Sequence, residues 1–475
     1  MLKKISFTIL ISVIGLNLLL AQGTNIQFKI EGMPEGKQEV ILAHYYGDKQ
    51  YIDDTIRIDV AGRGAIQADT LLPQGIYMVV LEQSNYFELL IGQDQQFSFT
   101  TDATDFIGTT KFKGAPVNTG FQEYQRFMLK QNKQNMELRQ RMQQVGDNAD
   151  SLKIIQAKLS ILDEEVKQKW QQLQKEYPNS MLSVLINGMK NPEIPEFEID
   201  SDVENKDSAR WFQSYNYNKL HYWDNIDFSD ERLLYTPIFH RRLNHYFANI
   251  LRPNPDTVIT YIDKTLAQTK GNEQMFRYML QFFINHFQGT KIMGMDKVFV
   301  HLAENYYLTE KVDWISEDTR EEIRERMLLT KPNLIGNIAP DLKLPNSFGE
   351  YERLHDITAE AILVYFWEPE CGHCKKATPV IKEAYEKFRD AGFEVFAVYT
   401  QSDKERWIKY IHDNNIEWIN VFDPYYTSNF RGYYNVRSTP LLYLLDKNKK
   451  IIAKQFAAKD IEAILQQEIG LESQQ

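Results

Sequence analysis

The stretch Ala361-Ile-Leu-Val-Tyr-Phe-Trp-Glu-Pro-Glu-Cys371-Gly-His-Cys374-Lys-Lys-Ala-Thr-Pro379 decides how the chain is read. An apolar run of strand length leads into two cysteines three apart, and a helix-like segment follows. These are the only two cysteines in 475 residues. A CxxC pair can be half of a zinc site, but a closed structural zinc site takes four ligands. No second pair exists, and none of the nine histidines forms an HxxxH partner. Neither a metal nor a cofactor is expected. Between a strand and a helix, the pair points to thiol–disulfide chemistry.

The N-terminus reads as an export signal. Lys3 and Lys4 precede an apolar stretch over 5–20, and Ala21, Gln22 and Gly23 supply a cleavage site. The stretch is short of the ~20 residues a spanning helix needs, so a cleaved signal peptide over 1–22 is favoured over an uncleaved anchor. Export places the chain in a periplasm or cell envelope, where structural disulfides usually accumulate. With no cysteine outside the pair, both are there for reactivity. The net charge of −11 and 43% hydrophobic content suit globular domains. An acidic balance without a basic face excludes nucleic acid as a partner.

Outward from the motif, the chain shows three zones and a multidomain organisation. Residues 24–112 carry β-rich segments at 26–30, 40–44, 56–60, 77–81, 87–91 and 96–100, separated by turn signals. They predict an N-terminal β-sandwich acting as a docking or structural module. Residues 113–330 form a central all-α region. Leu152, Ile155, Leu159, Leu162, Val166, Trp170 and Leu173 recur at helical spacing, with Ser151 as the expected N-cap, and predict a helical hairpin. A homodimer through this hairpin is the sharper alternative. Aromatic clusters at 211–223 and 278–287 read as core. Residues 331–340, with two prolines and a glycine, form the linker.

The C-terminal α/β domain, 336–475, reads as β, α, β, α, β, β, α: strands at 362–367, 393–399, 441–445 and 449–454, helices at 373–390, 404–412 and 460–468. This region resembles the thioredoxin superfamily, and within it the TlpA/ResA-type envelope thiol–disulfide oxidoreductases. The resemblance rests on Phe366-Trp367, the CxxC, Pro379, the leader at 336–341, and Ser438-Thr439-Pro440 at the position of the family's cis-proline. It implies a site of Cys371, Cys374, Trp367, Thr439 and Pro440, with the Thr439 backbone placed to pair with a substrate peptide. The implied partners are substrate proteins with thiols or disulfides, and a membrane redox protein as electron donor or acceptor.

Physical reasoning assigns roles within the pair. A cysteine at a helix N-terminus is stabilised as thiolate by unpaired N–H groups and the helix dipole. Cys371 occupies that place and is the expected nucleophile, with a pKa below the ~8.5 of a free thiol. Cys374, one turn inside, resolves the mixed disulfide. His373, Lys375 and Lys376 add positive potential, while Glu368 and Glu370 oppose it.

Two positions depart from the family pattern. Tyr365 stands where thioredoxins bury a carboxylate, and Ala377 where TlpA/ResA-type members often carry a glutamate. Glu368 is the nearest substitute proton acceptor for Cys374. The CGHC loop also resembles that of disulfide isomerases, which are more oxidising than thioredoxin. The leading expectation is an exported enzyme reducing protein disulfides. The alternatives are an oxidase or isomerase of the same chemistry, and an envelope binding protein whose redox domain is auxiliary. Peroxidase chemistry is disfavoured, because no Pro-x-x-x-Thr-x-x-Cys setting is present.

Overall fold

The computed structural model describes residues 23–33, 36–82, 85–146 and 148–469. The expected signal peptide lies outside them. Among the described residues no helix is long and apolar enough to cross a membrane. The chain divides into two compact units, Met1–Ile250 and Leu251–Gln475.

The first unit opens with eight strands: β1 (Thr24–Glu31), β2 (Glu39–Tyr46), β3 (Lys49–Arg57), β4 (Arg63–Ala68), β5 (Gly75–Glu82), β6 (Asn85–Ile91), β7 (Gln96–Asp102) and β8 (Lys111–Lys113). They form two four-stranded sheets, ordered β4-β1-β7-β8 and β3-β2-β5-β6. Period-2 alternation turns Ile26, Phe28 and Ile30 of β1 into one core with Tyr77, Val79 and Leu81 of β5, as the sandwich reading requires. The strand expected at 56–60 is instead β3, earlier in sequence. Most of its residues are exposed, so its sequence carries no inward stripe. Among the turn signals that separate the expected β segments is Gly62-Arg-Gly64, and it hid β4. Gly62 does turn, at φ +72°, but Gly64 lies within the strand, where a Cβ would sit 2.5 Å from the Phe28 ring.

After a short helix, α1 (Phe106–Thr109), the chain forms the hairpin of α2 (Pro116–Gln144) and α3 (Ala149–Glu176). Gln131 donates to Glu165 and the Trp170 indole to the Tyr124 hydroxyl, an antiparallel pairing. The cap of α3 is Asn148, whose side chain accepts from the Ser151 N–H, so the helix starts before the expected Ser151. Then come α4 (Met181–Met189), α5 (Lys206–His221) and α6 (Pro237–His245). The aromatic cluster at 211–223 is not core throughout. Helix α5 buries none of its residues and leaves Trp211 and Phe212 exposed, whereas Tyr222 just beyond it is buried beneath Arg242.

The second unit begins with α7 (Pro255–Ala267), α8 (Glu273–Gln288), α9 (Asp296–Leu302) and α10 (Glu317–Thr330). The segment expected as a linker is pinned rather than free. Its Gly336 N–H donates to Ile451 O and its Ala339 N–H to Lys449 O, so its backbone is satisfied along the edge of the sheet that follows. A hairpin of β9 (Lys343–Pro345) and β10 (Tyr351–Arg353) leads to β11 (Ala361–Trp367), α11 (Gly372–Phe388), β12 (Phe393–Tyr399), α12 (Lys404–Asp413), β13 (Ile419–Phe422), α13 (Phe430–Tyr433), β14 (Leu441–Asp446), β15 (Ile451–Lys454) and α14 (Ile461–Ile469). The sheet order is β13-β12-β11-β14-β15. Strand β11 is its centre, parallel to β12 and antiparallel to β14. Leu363, Tyr365 and Trp367 enter one core and Ile362, Val364 and Phe366 the other, which is why the run is apolar without alternation.

Candidate active site

The site lies where β11 ends and α11 begins. Cys371 is the N-cap of α11, and its Sγ accepts the Cys374 backbone N–H at 3.3 Å. A sulfur in that place takes up one of the orphan donors of the first helical turn and sits at the positive end of the dipole. Across the site, the Cys371 thiol donates to Thr439 O at 3.2 Å. Cys371 is half-buried, while Cys374, one turn further, is only 1% exposed and belongs to the core beneath the helix.

These positions separate the two thiols. Burial pushes Cys371 up, but bonds from Cys374, from the Thr439 side chain and from the His373 backbone N–H outweigh it, leaving the thiol below its ordinary value. Burial first, then the bond to Cys371, pushes Cys374 up to about 12. What His373 contributes to Cys371 comes from its backbone N–H, which favours the thiolate; the His373 residue itself is exposed, as are Lys375 and Lys376.

The structure brings Glu368, Thr439 and Pro440 to the cysteines. The Thr439–Pro440 peptide bond is cis. The Thr439 hydroxyl donates to Glu368 Oε1 at 2.7 Å, and Gln401 Nε2 donates to Glu368 Oε2 at 2.6 Å. Glu368 is therefore a bonded, half-buried residue rather than a solvated loop side chain, and its backbone favours the charged form of Cys374. Trp367 is brought close in a different sense. It is buried behind the site, with its ring stacked on Tyr365 and against Tyr399 and Tyr410.

The two departures from the family pattern are also resolved in physical terms. The Tyr365 hydroxyl meets Thr378 Oγ1 at 2.9 Å, so a neutral bonded pair occupies the interior behind Cys374, and burial pushes the phenol far above its usual range. Ala377 is simply buried in the same core. Sequence reasoning missed Gln401 and Thr378. The signal for Gln401 was indirect: Tyr399 pairs with Trp367 in parallel register, so the residues just past β12 lie beside those just past β11. Among the described residues no group of three or more His, Cys, Asp or Glu is arranged to hold a metal.

A thioredoxin-like family model matches residues 360–451, and a domain of unknown function (DUF5106) matches 161–333. The chain is 29% identical over 135 residues to the thiol-disulfide oxidoreductase ResA of Geobacillus kaustophilus, covering 28% of this chain and 76% of that protein. Among solved structures, it is similar to a domain of a "possible thiol-disulfide isomerase" of Cytophaga hutchinsonii, at 36% identity and TM-score 0.28, covering 28% of this chain and 92% of that one. A thioredoxin-like protein of Bacteroides caccae is 22% identical with TM-score 0.46, covering 58% of this chain and 97% of that one. Family model, ResA relatives and CxxC geometry converge. Through its C-terminal domain the chain belongs to the TlpA/ResA type of the thioredoxin superfamily, and it is a thiol–disulfide oxidoreductase.

Proposed function

We propose that this oxidoreductase is exported and reduces disulfides in substrate proteins, with Cys371 attacking and Cys374 resolving. The observation that carries the reading is the asymmetry of the pair: a half-exposed thiol held below its ordinary pKa beside a buried one pushed up to about 12. Only a thiolate attacks a disulfide. Cys371 thiolate opens the substrate bond and forms a mixed disulfide, releasing one substrate thiolate that takes a proton from solvent. Cys374 loses its proton, attacks Cys371 Sγ and releases the second substrate thiol. Two protein thiols become one disulfide, and two electrons pass to the substrate.

The two sulfurs pull the potential in opposite senses, since the lowered Cys371 stabilises the reduced pair and the raised Cys374 does not, so the measured potential decides the direction. Glu368 serves as a positioning residue that holds Thr439 against Cys371, since both its carboxylate oxygens already accept bonds. A membrane redox protein restores the thiols, and the leader at 1–22 delivers the chain to the periplasm or envelope. The N-terminal 330 residues, a sandwich plus helices, act as a docking extension. A homodimer through the hairpin of α2 and α3 is part of the reading, supported by exposed Met136, Ile154 and Ile161, and sedimentation of the full chain tests it.

The deciding experiment equilibrates the Cys371–Cys374 pair with glutathione. A potential near the ~−270 mV of thioredoxin supports the reductant; one near the ~−180 mV of disulfide isomerase overturns the direction in favour of oxidation or isomerisation.

A further inference from the structure

Within the second unit, a cavity of about 450 Å³ opens beside the cis-proline loop. Ser438 and Pro440 lie in its wall, and between them Thr439 reaches the other way to accept from the Cys371 thiol. The opposite wall comes from the end of α8, the start of α9 and the end of α10. Its charges are one-sided. Lys291, Arg326, Arg437 and Lys454 line it against a single carboxylate, Asp296. That carboxylate is already spent: Lys454, 3% exposed, is ion-paired with it and donates to Asn333 O at 2.6 Å. Three cations therefore remain uncompensated in the cavity of a chain whose net charge is −11.

Two of these cations disfavour each other. Burial and then the charge of Arg437 pull Arg326 below its usual range, a strain that an anion between them relieves. The side chains take little of the charge up internally: Arg326 donates to the Gln288 carbonyl and Arg437 to the Asn435 amide oxygen, both neutral. The wall also holds two buried acceptors without partners, Asp296 Oδ1 and Asn333 Oδ1. Buried acceptors of this kind call for N–H donors. A peptide with acidic side chains brings both complements, carboxylates for the guanidinium groups and N–H groups for the acceptors.

We propose that this cavity receives an acidic segment of the substrate polypeptide, bound by Lys291, Arg326 and Arg437 while the neighbouring substrate disulfide lies at Cys371. The inference rests on the oxidoreductase reading and names the substrate class for it.

The test uses the full-length reduced protein and two synthetic cystine peptides of equal length, one with glutamates flanking the disulfide and one with lysines. At low ionic strength kcat/KM favours the acidic peptide by about tenfold, through KM, and salt erodes the preference. In Arg437→Gln and Lys291→Gln, both at exposed positions, the ratio between the peptides falls toward one, and in Arg437→Glu it inverts. An oligoglutamate without a cystine inhibits, while free glutamate at equal carboxylate concentration does not. Equal kcat/KM for the two peptides in the wild type, or a ratio that the substitutions leave unmoved, overturns the proposal alone. Inhibition by free glutamate as strong as by the oligomer reassigns the site to small acids and overturns the polypeptide claim. Failure to exchange with either peptide overturns the oxidoreductase reading and this proposal with it.

Discussion

Glu368 and Thr439 stand 71 residues apart in sequence and are joined by a 2.7 Å hydrogen bond from the threonine hydroxyl to the carboxylate. Thr439 in turn accepts from Cys371 at its carbonyl, and its side chain favours the charged form of both sulfurs. The carboxylate thus acts on the nucleophile through the loop opposite it. Hydrogen bonds to charged groups contribute about 1.5–3 kcal/mol, so Glu368→Gln and Thr439→Val each slow thiol exchange by about tenfold or more. Thr439→Val also raises the pKa of Cys371, read from the pH dependence of its alkylation. The double variant loses less than the sum of the two, because the pair acts as a unit. Strictly additive losses, with an unmoved alkylation profile, would falsify the coupling.

The two cysteines separate cleanly in pH-dependent chemistry. Iodoacetamide modifies Cys371 with a midpoint below the ~8.5 of a free thiol, while Cys374 stays unmodified through neutral pH because its own value is pushed up to about 12. Peptide mapping of the alkylated protein reads both. Equal labelling of the two residues at neutral pH contradicts the assignment of attacker and resolver.

Stability follows the same titrations with opposite signs. Cys371 has its folded value depressed, so it adds stability to the dithiol form as pH rises toward the unfolded ~8.5 and loses it as pH falls through the folded value. Cys374 has its folded value raised, so its contribution is complete below ~8.5 and disappears as pH climbs toward about 12. The disulfide form carries neither group. The Tm of the dithiol protein, measured against the disulfide protein, rises toward about pH 8.5 and falls above it. A difference that is flat across this range rejects the two assignments together.

How much of this was legible before the structure depends on where each signal resides. Strand β11 and the start of α11 were readable because burial on both faces and a cysteine-led helix leave local marks. Strands β3 and β4 were misplaced because exposure in one, and glycines required by packing in the other, erase alternation. In the candidate site, Cys371, Cys374, Thr439 and Pro440 carry marks in the sequence itself. Gln401, Thr378 and the bonded state of Glu368 do not, because they come together only through strand register. His373 illustrates the reverse case: its ring drew attention by residue type, whereas its backbone N–H is what favours the Cys371 thiolate.

The Tyr365–Thr378 pair predicts a stability effect that is reversed by a second substitution. Thr378→Val leaves the Tyr365 hydroxyl buried without a partner, which costs about 1–3 kcal/mol. Adding Tyr365→Phe removes the stranded hydroxyl and recovers most of the loss, because apolar replacement of both partners is close to neutral. Urea denaturation of the wild type, the single variant and the double variant checks this. A double variant less stable than Thr378→Val would show that the phenol has another partner.

Lys454 and Asp296 tie strand β15 to the start of α9, two elements 158 residues apart in sequence. The ammonium is almost fully buried and also donates to Asn333 O, whereas Asp296 keeps some contact with solvent. Breaking a buried pair from one side costs about 3–5 kcal/mol. Asp296→Asn strands the more buried partner and falls near the top of that range, while Lys454→Met strands the carboxylate that water still reaches and costs less. Asp296→Leu with Lys454→Met removes both charges, and the double variant is more stable than Asp296→Asn. Chemical denaturation of the full chain, with the transition followed by amide exchange in β15 and α9, measures the order. If Lys454→Met proves the more damaging single change, the carboxylate rather than the ammonium is the buried member on which the contact depends.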